Sequence, residues 1–210
     1  MRDWEACYQN GETPWDKGFA APPLIDLTAR LGPGLWGGGT VLVPGCGLGH
    51  DVRWLAGQGL TVTGLDISTT AVDKARSLPP VGRETYETGD FLSADWPAGK
   101  RFSAIWEHTC FCAINPALRD DYARSAAAVL PEGAHLAGVF YLKPFDPGED
   151  DTGPPFMSSI EELDHRFSPW FERLHGWVPE NAYPGREGRE WIAVYRRLPA
   201  QQVAGETGSR

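Results

Sequence analysis

The sequence predicts an α/β fold, with a mostly parallel seven-stranded sheet, helices on both faces, an antiparallel edge strand and an N-terminal cap. Three observations carry this. From residue 40 onward, short apolar runs alternate with amphipathic segments, the pattern of parallel strands joined by crossover helices. A glycine-rich turn, Gly45-Cys46-Gly47-Leu48-Gly49, follows the first apolar run and opens the first of these helices. Two late strand-like runs have no long helix between them, which makes them a hairpin and hence an antiparallel edge.

Residues 1–39 stand outside the alternation. They carry aromatics, Pro22-Pro23 and Gly37-Gly38-Gly39, and read as a partly helical cap. Thr40-Val41-Leu42-Val43 is apolar and ends in glycines, as a buried strand does. His50 to Gly57 places Val52, Leu55 and Ala56 on one face and stops at glycine. Leu60 to Leu65 reads as a second strand ending at Asp66. Ser68 suits an N-cap for a helix through Leu78, which Pro79-Pro80 stops. Glu84 to Thr88 is a third strand, and Phe102 to Trp106 a fourth. Pro116 suits the first turn of a helix to Leu130. Ala134 to Tyr141 is a fifth strand. Ser158 to His165 reads as a helix, and Trp170 to Trp177 and Glu190 to Arg197 as the two late strands. Pro144 to Pro155, rich in Gly, Pro and Asp, reads as a loop. Residues 1–198 therefore form a single domain, and Pro199 to Arg210, small and polar, reads as a disordered tail.

Composition narrows the function classes. The chain has 210 residues, enough for one domain with a real core. Acidic residues number 28 and basic residues 19, a net charge of -9. A nucleic-acid binder needs the opposite surplus to neutralise phosphates, and an anionic membrane surface is disfavoured for the same reason. No apolar run is long enough for a membrane span, and Met1-Arg2-Asp3-Trp4-Glu5 lacks the basic-then-apolar run of a secretory signal. Cys7, Cys46, Cys110 and Cys112 form no spaced metal pattern and read as free thiols in a reducing, cytoplasmic compartment. The 9 tryptophans supply large apolar contact area, part of it suited to lining a pocket.

The strongest local signal is Val41 to Asp51. A strand runs into a glycine turn that opens a helix, where an open α/β sheet receives a cofactor. Asp66, at the end of the second strand, is placed to accept hydrogen bonds from both ribose hydroxyls of an adenosine. The spacing is GxGxG with His50 next, not the GxGxxG dinucleotide fingerprint. Cys46 between two glycines and Asp51 just beyond the turn fit S-adenosylmethionine, whose sulfonium and amino-acid end carry no phosphate. Gly89-Asp90-Phe91 follows the third strand, where Asp90 can bond the adenine amino group and Phe91 can cover the ring.

These motifs resemble those of the thiopurine S-methyltransferase family. Within it the chain is similar to the plant-type thiol and halide methyltransferases, over residues 4–198. The resemblance rests on Trp4-Glu5-x-Cys7-Tyr8, on Thr13-Pro14-Trp15-Asp16-x-Gly18 and on Val43-Pro44-Gly45-Cys46-Gly47-x-Gly49-His50-Asp51. It rests equally on Gly64-Leu65-Asp66-Ile67-Ser68, Phe111-Cys112-Ala113-Ile114-Asn115-Pro116 and Gly153-Pro154-Pro155-Phe156. It implies a Rossmann-like class I methyltransferase fold, S-adenosyl-L-methionine as cofactor, and residues 1–39 as a cap over the cofactor site. By the same resemblance Trp4, Tyr8 and Trp15 enclose the cofactor, and Gly45, with Gly47 in the same turn, meets its methionine part. Asp66 takes the ribose, Asp90 and Phe91 take the adenine, and Ile67 is a further cofactor contact. His108 stands where relatives carry Arg or Tyr close to the cofactor, and Glu107 replaces the usual Asp. Tyr141 and Arg186 match positions lining the acceptor side.

The residues themselves speak to this reading in different degrees. A sulfonium is a cation, and a tryptophan face attracts cations by ~0.5–2 kcal/mol. Taken alone, Trp4, Tyr8 and Trp15 read as ordinary packing of an N-terminal helix, and Asp90 as a turn aspartate. Cys110 and Cys112 read as small buried apolar residues. His50, His135, His165 and His175 read as structural, and Asp146, Glu149, Asp150 and Asp151 as a solvated loop. The expected reaction is in-line methyl transfer to a small-molecule thiol, bisulfide, thiocyanate or halide. The acceptor pocket would be bordered by Tyr141 and Arg186 and closed by Trp15, Phe111 and Phe156. A neutral thiol must lose a proton, for which Tyr141, His108 and Glu107 are candidates. A specific organic thiol of secondary metabolism is the alternative acceptor. A nicotinamide-dependent oxidoreductase and a non-catalytic cofactor-binding protein are the alternatives of other classes.

Overall fold

A computed structural model describes residues 2–93, 95–96, 99–146 and 152–199. Its strands are β1 (Thr40–Pro44), β2 (Thr61–Asp66), β3 (Arg83–Thr88), β4 (Ala104–His108), β5 (His135–Tyr141), β6 (Phe171–Trp177) and β7 (Glu190–Arg197). They form one sheet in the order β3-β2-β1-β4-β5-β7-β6. The first five are parallel to one another. β7 runs antiparallel to both β5 and β6, so the reversed strand lies one place in from the edge and β6 closes it.

The helices are α1 (Trp4–Asn10), α2 (Pro22–Leu31), α3 (His50–Gly57), α4 (Thr69–Ser77), α5 (Arg119–Val129) and α6 (Ile160–Phe167). Strand side chains alternate between the two faces of the sheet. Val41, Val43, Ala104, Trp106, Val139 and Ile192 pack with Leu24 and Leu27 of α2, Val52 and Leu55 of α3 and Val72 of α4. Leu42, Ile105, Leu136, Phe140 and Tyr195 pack on the other face with Tyr122 and Ala126 of α5 and Leu163 and Phe167 of α6. Helices therefore cover both faces, as the alternation of elements predicts.

The predicted elements appear with small shifts. α3 has the predicted bounds, and Ser68 caps α4 by accepting from the Ala71 N–H at 3.1 Å. β4 begins two residues later than its apolar run. Phe102 is buried, but its N–H goes to Val129 O and that of Ser103 to Thr40 O, so ladder pairing starts at Ala104. The segment after Pro116 is a 3₁₀ turn, Pro116–Leu118, before α5. The expected tail, residues 200–210, and the acidic positions Glu149, Asp150 and Asp151 lie outside the described residues. Among the described residues no helix is long and apolar enough to cross a membrane, and no group of His, Cys, Asp and Glu could hold a metal.

This topology positions the site. The chain steps outward from β1 to β2 to β3, then returns to lay β4 on the other side of β1. A crevice opens at such a switch point, beyond the carboxyl ends of the strands. There β1 delivers the glycine turn, β2 delivers Asp66 and β4 delivers His108.

Phe167 is the hinge pin of the second core. It is fully buried, with ring centroids of Tyr195 at 4.9 Å, Phe111 at 5.8 Å and Phe140 at 6.0 Å. Phe167→Ala should lower stability by ~3–5 kcal/mol in urea unfolding. A loss below about 1 kcal/mol would mean that this aromatic cluster does not hold α6.

Candidate active site

The turn after β1 is shaped by φ angles of +62° at Gly45, +53° at Gly47 and +79° at Gly49. Such values suit glycine and strain residues with a Cβ. At Gly47 a Cβ would also lie 2.6 Å from the Tyr8 hydroxyl, and at Gly45 it would lie 2.9 Å from the Cys110 sulfur. The turn is held by Asp66. Its Oδ2 accepts the Gly47 N–H at 2.8 Å, and its Oδ1 accepts the Ser68 N–H at 2.9 Å. Burial outweighs these bonds and raises the Asp66 carboxyl above its ordinary value.

The N-terminal segment is fastened over this turn. Glu5 of α1 accepts from the Ser68 hydroxyl at 2.7 Å, the Thr70 hydroxyl at 2.6 Å and the Thr70 N–H at 3.1 Å. Those bonds hold its carboxyl down to about 2. Trp15 Nε1 donates to the Tyr8 hydroxyl at 3.1 Å, and the Trp4 and Trp15 rings meet edge to face at 5.3 Å. The Arg2 guanidinium lies over Trp15 at 4.9 Å and over Trp4 at 5.4 Å.

Beneath this segment lies a cavity of about 690 Å³. It brings together Trp4, Tyr8, Trp15, Gly45, Gly47, Asp66 and Ile67 with Asp90, Phe91, His108, Tyr141 and Arg186. Asp90 is exposed and accepts the Leu92 N–H at 2.9 Å, while Phe91 is buried against Tyr122 at 5.0 Å. Three expectations fail. Glu107 does not reach the cavity. It is fully buried, where Oε1 accepts the Phe111 N–H at 2.8 Å and Oε2 accepts the Tyr122 hydroxyl, and burial raises its carboxyl. Strand alternation explains this, because Trp106 and His108 occupy the opposite face. Phe111 belongs to the second core, and Phe156, whose N–H bonds Cys112 O at 2.7 Å, does not line the cavity. Their places on the wall are taken by Cys110, Cys112, Pro154 and Pro155.

The cavity wall also holds residues outside the expected set. Asp51, at the start of α3, accepts the Ala21 N–H at 2.7 Å, Trp106 Nε1 at 2.7 Å and His108 Nδ1 at 2.8 Å. Burial opposes its ionisation, but His108 and these donors prevail and lower its carboxyl. Tyr183, from the turn before β7, stacks on His108 at 5.7 Å and donates to Phe19 O at 2.6 Å. Arg186 pairs with the buried Glu190 at 3.2 Å and lies over the Tyr141 ring at 4.7 Å. Tyr-Pro-Gly at 183–185 is a turn signal in the sequence, and nothing local marks Tyr183 as a ring partner. All four cysteines are free. Burial pushes the Cys46 and Cys110 thiols well up, and Cys112 to about 12.

Comparison with known proteins narrows what such a site does. A family model described as thiopurine S-methyltransferase matches residues 1–177. Thiocyanate methyltransferase 1 of Brassica oleracea is 33% identical, covering 93% of this chain and 84% of that protein. The probable thiol methyltransferase 2 of Arabidopsis thaliana is 32% identical over 92% and 84% of the two chains. Among solved structures, one determined for the conversion of a disulfide bond into a thioacetal group during echinomycin biosynthesis superposes with a TM-score of 0.71. It is 23% identical and covers 93% of this chain and 90% of that one. A methyltransferase from Streptomyces caelestis gives 0.70 at 19% identity, with 92% and 96% covered, a likeness of fold.

The attachment of α1 is testable. The Glu5 carboxyl is held below its ordinary value of 4.5, so its contribution is full above pH 4.5 and is lost as pH falls toward about 2. The amide-exchange protection factors of residues 4–10 should therefore fall over that window ahead of those of the sheet, and Glu5→Gln should show the low protection at neutral pH. Equal protection of α1 in the variant would show that Glu5 does not fasten it.

Proposed function

The chain belongs to the thiopurine S-methyltransferase family, and from that premise we propose that it transfers the methyl group of S-adenosylmethionine to a small soft nucleophile by in-line displacement. The nucleophile is a thiol, bisulfide, thiocyanate or halide. The relatives named for thiocyanate and for thiols support this acceptor class. One observation carries the reading: a single cavity joins the glycine turn and Asp66 to a buried cation, Arg186. One end suits an adenosine and the other suits an anion.

The residues present fit that donor. A cavity of about 690 Å³ is within the range of small-molecule sites. The Arg2 guanidinium, 4.9 Å from the Trp15 ring and 5.4 Å from that of Trp4, supports a cation-accepting role for these ring faces. When bound, S-adenosylmethionine supplies an electrophilic methyl carbon on a sulfonium. Gly45 and Gly47 would bring backbone close to its amino-acid end, and Asp66 would accept from the ribose hydroxyls through its free lone pairs. Ile67, Asp90 and Phe91 would border the adenine, and Trp4, Tyr8 and Trp15 the sulfonium. Residues 1–39 act as a cap that excludes water. Arg186 would draw a soft anion into line, with Tyr141 bordering it. Alignment of this kind contributes up to ~7–11 kcal/mol of barrier reduction. An anion such as iodide or thiocyanate needs no base, and removal from water raises its reactivity. The reading includes a reducing, cytoplasmic setting, which the free cysteines support.

The test is a product assay. Protein given S-adenosylmethionine with iodide, thiocyanate, bisulfide or aromatic thiols should yield methyl iodide, methyl thiocyanate, methanethiol or thioethers in the headspace or extract. Absence of every product defeats the reading. Asp66→Ala removes a charged acceptor worth ~1.5–3 kcal/mol, so calorimetric affinity for S-adenosylhomocysteine should fall about tenfold to a hundredfold. Unchanged affinity would remove Asp66 from the site.

A further inference from the structure

We propose that His108, oriented by Asp51, is the general base that deprotonates acceptors arriving as neutral thiols, and that acceptors arriving as anions do without it. The inference rests on the methyl-transfer reading above. It begins with the proton on the ring. Asp51 Oδ2, 2.8 Å from His108 Nδ1, also receives Trp106 Nε1, and Oδ1 receives the Ala21 N–H. An ionised carboxylate only accepts, so Nδ1 carries the hydrogen and Nε2 carries the lone pair. Nε2 accepts from Arg186 Nη1 at 3.5 Å, a long bond that the S–H of an arriving thiol would replace, and both residues line the cavity.

Two contacts hold the ring in this orientation. Asp51 holds one edge, and Tyr183 stacks on its face while its own hydroxyl is tied to Phe19 O at 2.6 Å. The other candidates are unsuited. Glu107 is sealed behind the strand, and burial raises the Tyr141 hydroxyl, which therefore keeps its proton. The charged and titratable groups around His108 are Asp51 from α3, Glu107 on its own strand, Tyr183 and Arg186 from the loop before β7, and Glu190 of β7. Arg186 and Glu190 pair with each other at 3.2 Å.

The step balances. The thiol S–H bond breaks and its proton goes to Nε2. The sulfur pair forms a bond to the methyl carbon, and the bond from that carbon to the donor sulfur breaks with its pair onto that sulfur. Arg186, next to Nε2, steadies the negative charge on the acceptor sulfur. The imidazolium returns its proton to solvent, leaving a thioether and S-adenosylhomocysteine. Thiocyanate and iodide carry no such proton, so for them the ring has nothing to remove.

The test compares acceptors within one protein. kcat/KM is measured for ethanethiol, thiophenol, thiocyanate and iodide in the unaltered enzyme, His108→Gln and His108→Asn. General-base catalysis contributes ~10²–10⁴-fold, so the loss on ethanethiol should exceed the loss on iodide by about a hundredfold or more. Thiophenol, more acidic, should fall between them. Equal losses on all four acceptors would overturn the assignment and leave His108 a packing residue. Failure of the unaltered enzyme with every acceptor would overturn the methyl-transfer reading and this inference with it. A second measurement needs no variant and no turnover. Nitrogen NMR of the unliganded protein at the assay pH should find His108 protonated at Nδ1 and bare at Nε2; the reverse tautomer, or a ring protonated at both nitrogens, would overturn the assignment.

Discussion

The Asp66 carboxylate is the point through which the rest of the site is held together. One oxygen takes the N–H of Gly47 and the other the N–H of Ser68. Through Gly47 it sets the turn after β1. Through Ser68 it sets the start of α4, and the Ser68 hydroxyl in turn holds Glu5 of α1. From α1 the Tyr8 hydroxyl returns to stand against Gly47, where a Cβ would collide with it. The contacts thus close a ring: turn, strand end, helix cap, α1 and turn again. A carboxylate buried in this way is costly unless its oxygens are satisfied by donors. Both oxygens here meet backbone N–H groups, which fixes the backbone that supplies them.

A second hub, Asp51, couples the N-terminal segment to β4 on the same face of the sheet. Its three donors come from Ala21 ahead of α2 and from Trp106 and His108 on β4. Cap, glycine turn and the fourth strand therefore share one buried charge. Arg186 and Glu190 form a separate buried pair beside His108. The net charge of -9 belongs to the chain as a whole, while the cavity holds cation and anion in close pairs.

Much of this was legible in the residues. Strand, glycine turn, helix and terminal Asp66 follow one another in local order, so their geometry follows from spacing alone. The two-residue error at β4 has a physical cause: an apolar run reports burial, and Phe102 is buried without joining the ladder. The place of Glu107 behind the strand is not written in its motif, because adjacent strand residues face opposite ways and only one of Glu107 and His108 can look into the crevice. The places of Phe111 and Phe156 are equally illegible, because an aromatic gives no sign of which cavity, if any, it borders. Asp51 was visible as part of a motif, but its donors lie 30, 55 and 57 residues away. Tyr183 sits in a turn whose partner is on another strand. Contacts of that range are decided by the topology.

The three sulfurs in the cavity wall bear on the durability of the protein itself. Cys46, Cys110 and Cys112 line the same space as an alkylating sulfonium would. Thiolate is the reactive form, and burial holds all three thiols protonated at neutral pH. Dry surroundings thus insulate the catalyst from its own reagent.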